Sequence, residues 1–339
     1  MTMPSGQQRR WTRRPEGSNW GDFGPDDQLG RMNLITPEMR LAAVREVKDG
    51  RAFALSLPLD YPGGEPEGAP RRRPRLFASS FAGHQMYNFP MNPSDLCCDD
   101  GVTMSLQYST QWDSLAHWGR MFDVDGGGVE RPVYYNGFRA GIEIVAAEDG
   151  GEPCAGRLGI DNMATTGVQG RGVLVNLVRA FGPGRTLVDY PKLMQAIDAQ
   201  GVEVRAGDML LLYTGYGDAV MAMAKRPDRD LLNQTGAALD GSDERLLDWI
   251  EASGVVAVIA DNPAVEAFDS GPPTGGVHGL MPLHDRCLFR LGVHIGELWW
   301  LSELADYLDR AGRHAFLLTA PPLRLPGAVG SPVTPVATV

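Results

Sequence analysis

The stretch YPKLMQAIDAQGVEVRAGDMLLLY, residues 190–213, determines the fold class of this chain of 339 residues. Residues 190–200 predict a helix, and Gly201 is the kind of residue that ends one. A turn at 206–208 then leads into the continuous apolar run 209–213, which is typical of a strand buried on both faces. Helix, turn and buried strand in this order predict an α/β fold.

The same alternation of helices and strands occurs elsewhere in the chain. Thr36 and Pro37 are a typical N-cap and first-turn pair, so they begin a helix that ends at Gly50. Leu41, Val44 and Val47 form an apolar stripe on that helix. The other predicted elements are a strand at 51–58, a helix from Ser242 to Gly254, a strand at 255–260, and helices at 283–291 and 302–311. Together they predict a mixed sheet with surrounding helices. We expect a flexible tail over 1–18 and one domain over 19–339.

Composition and charge exclude several classes of protein. The chain has 31 Lys and Arg against 42 Asp and Glu, a net charge of −11, whereas phosphate binding requires a basic surface. No apolar stretch reaches the roughly 18 residues that suggest a membrane span, and the N-terminus lacks the apolar segment of a secretory signal. The four cysteines show no CxxC spacing, so neither a disulfide framework nor a cysteine zinc site is expected. We expect a cytoplasmic protein without nucleic-acid or membrane partners, and solvated arginine clusters at 9–14 and 71–75.

The segment MSLQYSTQWDSLAHWG, residues 104–119, contains the most informative polar pattern. If it is read as a strand, one face carries Gln107, Ser109, Gln111 and Asp113. A surface strand facing water is the alternative, but this face has no Lys, Arg or Glu. A buried aspartate beside a histidine requires partners, and a metal ion or a polar substrate would supply them. His117 follows Asp113 by four residues, so a turn could return its imidazole to the carboxylate.

A second pair of histidine and acid lies in LHDRCLFRLGVHIGELWWL, residues 283–301. His284 is early in a predicted helix. Glu297 borders the apolar run 298–301, where an unpaired carboxylate would be costly. A surface histidine and a capping glutamate are the alternative interpretation.

These segments resemble the cyclase family, whose best-known members are bacterial kynurenine formamidases and isatin hydrolases. The family motif has the form H-x-G-T-H-x-D-x-P-x-H, and residues 109–117 match its spacing around Asp113 and His117. Further segments that are similar to family blocks are Ser18–Gly21, Gly24–Gly30, Asn33–Ile35, Arg171–Asn176, Asp261–Glu266, Ile295–Leu298 and Gly330–Pro332. These segments follow the family order from Ser18 to Pro332, so the resemblance covers most of the chain.

The resemblance implies a fold and a chemistry. The family fold is the swivelling β/β/α type, usually assembled as homodimers or homotetramers. Its well-studied members are zinc- or manganese-dependent hydrolases that open amides or lactam-like rings. Carried over by position, the resemblance implies that Asp113 is a metal ligand and that His117 is a metal ligand or the general base. His284 and Glu297 would complete the site.

The chain departs from the family at the first metal site, where Gln107 and Gln111 take the places of two histidines. Amide oxygens are weaker ligands than imidazoles. We therefore expect one divalent ion, zinc or manganese, held by Asp113, His117, His284 and Glu297. Gln111 and Gln107 would hold a water or a substrate oxygen, and Gln111 could donate a hydrogen bond to an oxyanion.

The expected function is hydrolysis of a small molecule, a cyclic or small amide or a lactone, by metal-activated water. His117 or a carboxylate such as Glu297 would take the proton. Candidate pocket residues are Trp20, Trp112, Tyr134, Tyr135 and Asn136, with core packing as the alternative for each aromatic residue. Two other functions stay open: a metal-assisted lyase or cyclising isomerase, and a non-catalytic protein that binds a small metabolite.

Overall fold

The computed structural model describes residues 10–64, 71–268 and 280–339. Within these ranges the largest sheet is mixed and has nine strands. Numbered in chain order, they are β1 (Ala52–Ala54), β2 (Gln111–Asp113), β3 (Gln169–Asn176), β4 (Met209–Tyr213), β5 (Ala257–Ala260), β6 (His294–Glu297), β7 (Ala315–Thr319), β8 (Gly330–Pro332) and β9 (Val336–Thr338).

The strands of this sheet follow the order β1-β9-β7-β3-β4-β5-β6-β2-β8. The four strands β3 to β6 run parallel to one another. The pairs on either side of them are antiparallel. Parallel neighbours require long crossover connections, and here these contain helices. The predicted α/β class with a mixed sheet is confirmed.

The helices lie mainly in the connections between these strands. In the described ranges they are α1 (Pro37–Val44), α2 (Ile160–Thr165), α3 (Leu177–Phe181), α4 (Tyr190–Gln200), α5 (Tyr216–Ala222), α6 (Arg229–Asn233), α7 (Glu244–Ser253), α8 (Pro282–His284) and α9 (Ser302–Ala311). The short helix α8 continues directly into a π-helix, Asp285–Leu291, and 3₁₀ turns occur at Gly30–Leu34, Tyr135–Gly137 and Ala147–Asp149.

The elements with strong local signals have the predicted bounds. Helix α4 and strand β4 cover 190–200 and 209–213, and α9 covers 302–311. The Asp189 carboxylate accepts a hydrogen bond from the Lys192 amide at the start of α4. Gly201 has a left-handed φ of 68° at its end, which glycine adopts without steric cost.

Four predictions of detail are wrong. Helix α1 begins as predicted, with the Thr36 hydroxyl accepting from Met39, but it ends at Val44. Its predicted apolar stripe does not face the core, because Leu41 and Val44 are exposed whereas Ala43 is buried. The strand predicted at 51–58 is only β1, and Asp243 rather than Ser242 caps α7, because its carboxylate accepts from Arg245.

The core lies on both sides of the sheet. Along β4, Leu210 and Leu212 belong to one apolar cluster, and Met209 and Leu211 belong to the other. Strand β5 divides in the same way. Because successive side chains point to opposite faces of a strand, a strand covered on both sides has to be apolar throughout. This burial explains the continuous apolar run that the sequence shows.

Residues 10–18, predicted as part of a flexible tail, lie against the rest of the chain. Trp11 is buried, and its ring centroid lies 6.4 Å from that of Trp20. The Trp11 indole donates a hydrogen bond to the Asn136 side chain, and the Arg10 guanidinium pairs with Asp26. Apolar and charged contacts therefore hold residues 10–18 against the rest of the chain.

Smaller two-stranded sheets surround the main one. They are Arg75–Ala78 with Asp100–Thr103, Ser80–Phe81 with His84–Gln85, Phe89–Pro90 with Leu96–Cys97, Arg120–Phe122 with Arg131–Val133, Ile144–Val145 with Cys154–Ala155, and Thr186–Val188 with Ala237–Leu239. In the described parts of the chain, every helix is too short or too polar to cross a lipid bilayer.

Candidate metal centre

Strands β2 and β6 bring the predicted site residues together. In their antiparallel register Gln111 is opposite Glu297, and Asp113 is opposite Ile295. Trp112 points to the other face and packs on Trp299, with the ring centroids 5.1 Å apart. The predicted alternation therefore holds within β2. The strand is shorter than predicted, since it covers only three residues of the segment 104–119.

Gln111 connects the two carboxylates. Its side-chain Nε2 donates to Asp113 Oδ1 and to Glu297 Oε2, with both distances 3.1 Å. An amide nitrogen has two hydrogens, so each carboxylate receives one. The opposite orientation would turn the amide oxygen toward two carboxylates and repel both. In the orientation observed, Gln111 Oε1 is buried and has no hydrogen-bond partner.

His284 approaches the same carboxylates from the end of α8. Its Nε2 lies 3.5 Å from Glu297 Oε1, and its Nδ1 lies 2.8 Å from Glu266 Oε1. Glu266 also accepts from the backbone amides of Leu283 and His284, at 3.0 and 2.9 Å. A histidine whose Nδ1 is held by a carboxylate presents Nε2 to a metal in a fixed orientation.

This role of Glu266 was not predicted. The sequence offers only its place in the Asp261–Glu266 block, because Glu266 and His284 meet through folding alone. Room for the carboxylate depends on Gly241, where a Cβ atom would lie 2.0 Å from Glu266 Oε2. Any larger residue at position 241 would therefore displace Glu266.

The backbone beside both glutamates is strained. Ala264 and Val265, just before Glu266, have φ values of 74° and 61°, and Leu298, just after Glu297, has a φ of 56°. Residues with a Cβ rarely adopt this left-handed conformation, which costs about 1–3 kcal/mol each. Strain of this kind concentrates at functional sites, and here it flanks two carboxylates of one cluster.

His117 lies at the edge of the cluster. The turn that follows β2, closed by the His117 amide on the Ser114 carbonyl at 3.0 Å, returns the ring to Asp113 as the spacing suggested. His117 Nε2 is 3.9 Å from Asp113 Oδ1, and 21% of the side chain is exposed. His117 therefore has access to solvent, whereas Asp113, His284 and Glu297 are buried.

Asp113, His284 and Glu297 could hold a metal ion. Each offers one ligand atom, and these atoms all lie within 4.8 Å of one another. Within the described ranges, Asp113 Oδ2 is buried without a hydrogen-bond partner, which is costly unless a cation satisfies it. One imidazole and two carboxylates are a ligand set that suits divalent first-row metals. Three of the four predicted ligands thus fit one ion, and among the described residues His117 is outside this group.

Burial and nearby charges shift the pKa values of the three buried ligand candidates, Asp113, His284 and Glu297. Burial raises the pKa of Asp113 to about 6, although the charge of nearby His117 acts in the opposite direction. Burial alone would lower the pKa of His284, but hydrogen bonds to Glu266 and Glu297 prevail and raise it to about 10. Burial would raise the pKa of Glu297, but the hydrogen bond from His284, together with the charges of His284, Arg71 and His117, holds that pKa below its usual value.

A pocket of about 200 Å³ opens above this cluster. Its polar lining comes from Arg71, His117, His284 and Glu297, and its other walls are Trp118, Pro263, Ala264, Phe268, Leu280 and Met281. Arg71 Nη1 lies 3.9 Å from Glu297 Oε2. The prediction that the arginine cluster at 71–75 is simply solvated is therefore wrong for Arg71.

The other predicted pocket residues lie elsewhere. Trp20 and Tyr135 are fully buried, and they donate to the Phe289 carbonyl and to Asp27 respectively. Asn136 is also buried; its Nδ2 donates to the carbonyls of residues 24, 25 and 27. Core packing therefore accounts for Trp20 and Tyr135, as the alternative interpretation held, and Asn136 binds the turn at 24–27.

Gln107 and Tyr134 contact other glycines of the chain. The Gln107 amide lies against Gly330, where a Cβ atom would be 2.5 Å from its Nε2. Gly330 belongs to β8 and is opposite Asp113 in the register of β2 and β8. Tyr134 is half-buried against Gly119. Of the two glutamines, Gln111 is the one for which the structure shows hydrogen bonds to the metal ligands.

Comparisons with known proteins agree with this architecture. A family model described as "Putative cyclase" matches residues 53–267. The crystal structure of a novel cyclase is 35% identical, with a TM-score of 0.75, over 95% of this chain and 97% of that chain. None of the curated proteins matches the chain in sequence.

More distant solved structures share the fold. Isatin hydrolase A from Labrenzia aggregata, bound to benzyl benzoate, is 16% identical over 85% of this chain and 93% of its own, with a TM-score of 0.53. Isatin hydrolase A from Ralstonia solanacearum is 14% identical over 85% of this chain and 91% of its own, with a TM-score of 0.54. The predicted cyclase-like α/β fold is confirmed by these likenesses.

Proposed function

Because the chain belongs to the cyclase family, we propose that it is a metal-dependent hydrolase that opens a small or cyclic amide, or a lactone. One observation carries the proposal: Asp113, His284 and Glu297 converge, buried, beside a pocket, and Asp113 Oδ2 has no partner among the described residues. A buried carboxylate oxygen without a partner requires an explanation, and a cation held by these three side chains supplies one. The fold shared with isatin hydrolases supports the same reaction class by analogy.

One divalent ion, zinc or manganese, is the proposed cofactor. When bound, such an ion supplies a Lewis acid that acidifies water and polarises a carbonyl group. Asp113, His284 and Glu297 would hold it, and Glu266 would orient the His284 imidazole. Gln111 stabilises the arrangement by giving one hydrogen to each carboxylate. A first metal site of the family kind is unnecessary here, because the Gln111 amide already neutralises part of the repulsion between Asp113 and Glu297.

His117 is the proposed general base and acid. It is the histidine of the pocket with solvent access, and its Nε2 faces Asp113 at 3.9 Å. A base of this kind takes a proton from the attacking water and returns it to the leaving nitrogen or oxygen. Asp113 would favour the protonated imidazole between these two transfers. Glu297, which His284 and Gln111 already engage, is better suited to holding the ion than to moving a proton.

The test combines metal analysis with isotope labelling. We expect purified protein to contain about one transition-metal ion per chain, by analogy with three-ligand catalytic sites, and His117→Ala to retain the ion. A panel of isatin, N-formylaniline and dihydrocoumarin in ¹⁸O-labelled water should give a carboxylate carrying one labelled oxygen. Active protein free of metal would contradict the proposal. Turnover without label would instead indicate a lyase or a cyclising isomerase.

A homodimer or homotetramer is also proposed. The two-stranded sheets between Arg75 and Thr103 expose large apolar side chains, among them Leu76, Phe77, Phe81, Met91 and Leu96. Hairpins without a covered face are marginally stable alone, and apolar patches of this kind mark interfaces, so a second copy of the chain is the proposed partner. Analytical ultracentrifugation should show a dimer or larger, and Leu76→Lys should shift the protein toward the monomer. A monomeric wild-type protein would contradict this proposal.

A further inference from the structure

The proposed reaction needs a hydrogen-bond donor for the oxygen that becomes negatively charged. Gln111 was the sequence-based candidate, because amides can form oxyanion holes. In the structure, however, both Nε2 hydrogens of Gln111 are used by Asp113 and Glu297. Among the described residues, the atom of this side chain without a partner is the acceptor Oε1. Gln111 therefore has no hydrogen left to donate to an oxyanion, and a hydrogen bond that supplements the polarising ion has to come from another residue of the pocket.

The side chains that line the pocket offer few other donors. His284 Nδ1 is engaged by Glu266, and its Nε2 faces Glu297. His117 is assigned to proton transfer, and Trp118 has a single neutral N–H donor. Among the lining residues that the structure describes, Arg71 is the one that brings a fixed positive charge. A guanidinium has five donors and cannot lose its proton in this pH range.

Arg71 is positioned for such a role. Its Nη1 lies 3.9 Å from Glu297 Oε2, close enough for charge interaction and too long for a hydrogen bond. Through the described parts of the chain, its guanidinium makes no hydrogen bond. The side chain is 41% exposed, so it borders the open end of the pocket. Its donors are therefore available to an oxygen bound beside Glu297.

We propose that Arg71 is a catalytic residue that donates hydrogen bonds to the substrate carbonyl oxygen as it becomes negative, and then to the carboxylate product. This inference rests on the proposed hydrolase function. Water adds to the carbonyl carbon, forming a C–O bond, and the carbonyl electron pair moves onto the oxygen. When the C–N or C–O bond breaks, that pair returns to the carbonyl and the leaving group receives from His117 the proton that the water gave up. The carboxylic acid that forms releases its remaining proton to solvent and leaves as a carboxylate.

The walls of the pocket specify the acyl part of the substrate. Trp118, Phe268, Leu280 and Met281 are apolar, so the group attached to the carbonyl carbon should be an aromatic or other apolar ring. The product is then an aromatic carboxylate, with its charge against Arg71 and its ring against these walls. Benzoate is a probe with this chemistry, and benzamide is a neutral control of the same shape.

The test measures benzoate and benzamide binding to zinc-loaded protein by titration calorimetry. We expect benzoate to bind more tightly than benzamide, and Arg71→Ala to weaken benzoate by roughly 10- to 100-fold, the usual loss for hydrogen bonds to a charged group. Arg71→Lys should give an intermediate affinity. Arg72→Ala is the matched control, because Arg72 is exposed and its hydrogen bonds with Ser105 use its backbone N–H and carbonyl. Zinc content should be equal in all four proteins.

A second measurement follows turnover. On any compound of the panel that the wild-type protein hydrolyses, Arg71→Ala should lower kcat by about 100- to 1000-fold, the loss seen for an oxyanion donor, with a smaller change in KM. Zinc-loaded wild-type and Arg71→Ala proteins that bind benzoate equally would overturn this inference alone. Failure of the wild-type protein to bind zinc would contradict the proposed function itself, so the two failures are distinguishable.

Discussion

Two buried aspartates at strand ends show how a structural carboxylate differs from a functional one. Asp261 follows β5, and Asp113 ends β2; both are fully buried. Asp261 accepts four hydrogen bonds, from the amides of residues 214, 215 and 217 and from the Thr214 hydroxyl. Asp113 accepts one, from Gln111, and its Oδ2 has no partner in the described parts of the chain. Burial alone therefore says little about function, whereas an unsatisfied oxygen beside two further ligand groups supports the proposed metal site.

The strongest test of this contrast is Asp113→Asn. We expect zinc affinity to fall by more than the roughly 10- to 100-fold that loss of an outer partner costs, because a charged ligand is removed. In the metal-free protein, the free energy of unfolding should change by less than about 1 kcal/mol, because the carboxylate is poorly satisfied. Titration calorimetry and urea unfolding measure the two quantities. Unchanged zinc affinity would remove Asp113 from the metal site.

The same substitution at Asp261 should have the reverse effect. Asp261→Asn turns an amide N–H₂ toward backbone N–H groups that need an acceptor. We expect the free energy of unfolding to fall by about 3 kcal/mol, since bonds to a charged acceptor are lost. Zinc stoichiometry should stay that of the wild-type protein. If Asp261→Asn lowered zinc binding while leaving stability intact, the distinction between the two aspartates would fail.

Glu266→Gln tests how far the functional cluster extends beyond the ligands. The change keeps the shape of the side chain but removes the charge that faces His284 Nδ1. We expect zinc affinity to fall by roughly 10- to 100-fold, as for other carboxylates that orient a metal-bound histidine. A competition assay with a chelator of known affinity measures this loss. A zinc affinity equal to that of the wild-type protein would mean that Glu266 only binds the backbone amides of α8 and does not orient His284 for the metal.

Competition between protons and zinc for the ligand side chains should have the smallest effect on zinc affinity. Without metal, His284 carries a proton below about pH 10, and Asp113 carries one below about pH 6. Both must lose their protons to bind an ion. Between these values one proton is released per ion, so zinc affinity should rise about tenfold per pH unit, and the slope should steepen below pH 6 as Asp113 is protonated. Calorimetry in buffers of different ionisation enthalpy counts these protons, and a flat profile would contradict the cluster.

Local signals made part of the fold predictable. Gly201 and Gly312 have left-handed conformations at the ends of α4 and α9, and such caps depend on neighbours in sequence. The exposed face of α1 was not predictable in this way. Leu41 is apolar but points outward, because the placement of α1 on the sheet decides which of its sides is covered.

The site was predictable to the extent that its residues are close in sequence. Asp113, Gln111 and His117 lie within seven positions, and strand alternation with one turn brings them together. Trp20 and Asn136 were predicted to line the pocket, and the sequence could not show that both are buried against distant partners. The Trp20 indole donates to the carbonyl of Phe289, and the Asn136 amide binds the turn at 24–27. Contacts across more than 100 residues leave no signal in one sequence.

By itself, the sequence determined the α/β class, the family resemblance and the polar side chains of β2, because these depend on period, capping and composition. The tertiary structure decided which groups meet. It placed Glu266 behind His284, used both hydrogens of Gln111, and brought Arg71 to the open end of the pocket. The physical reason is that a carboxylate, an imidazole and a guanidinium acquire their chemistry from the charges and donors within a few ångströms, and only the folded chain fixes those neighbours.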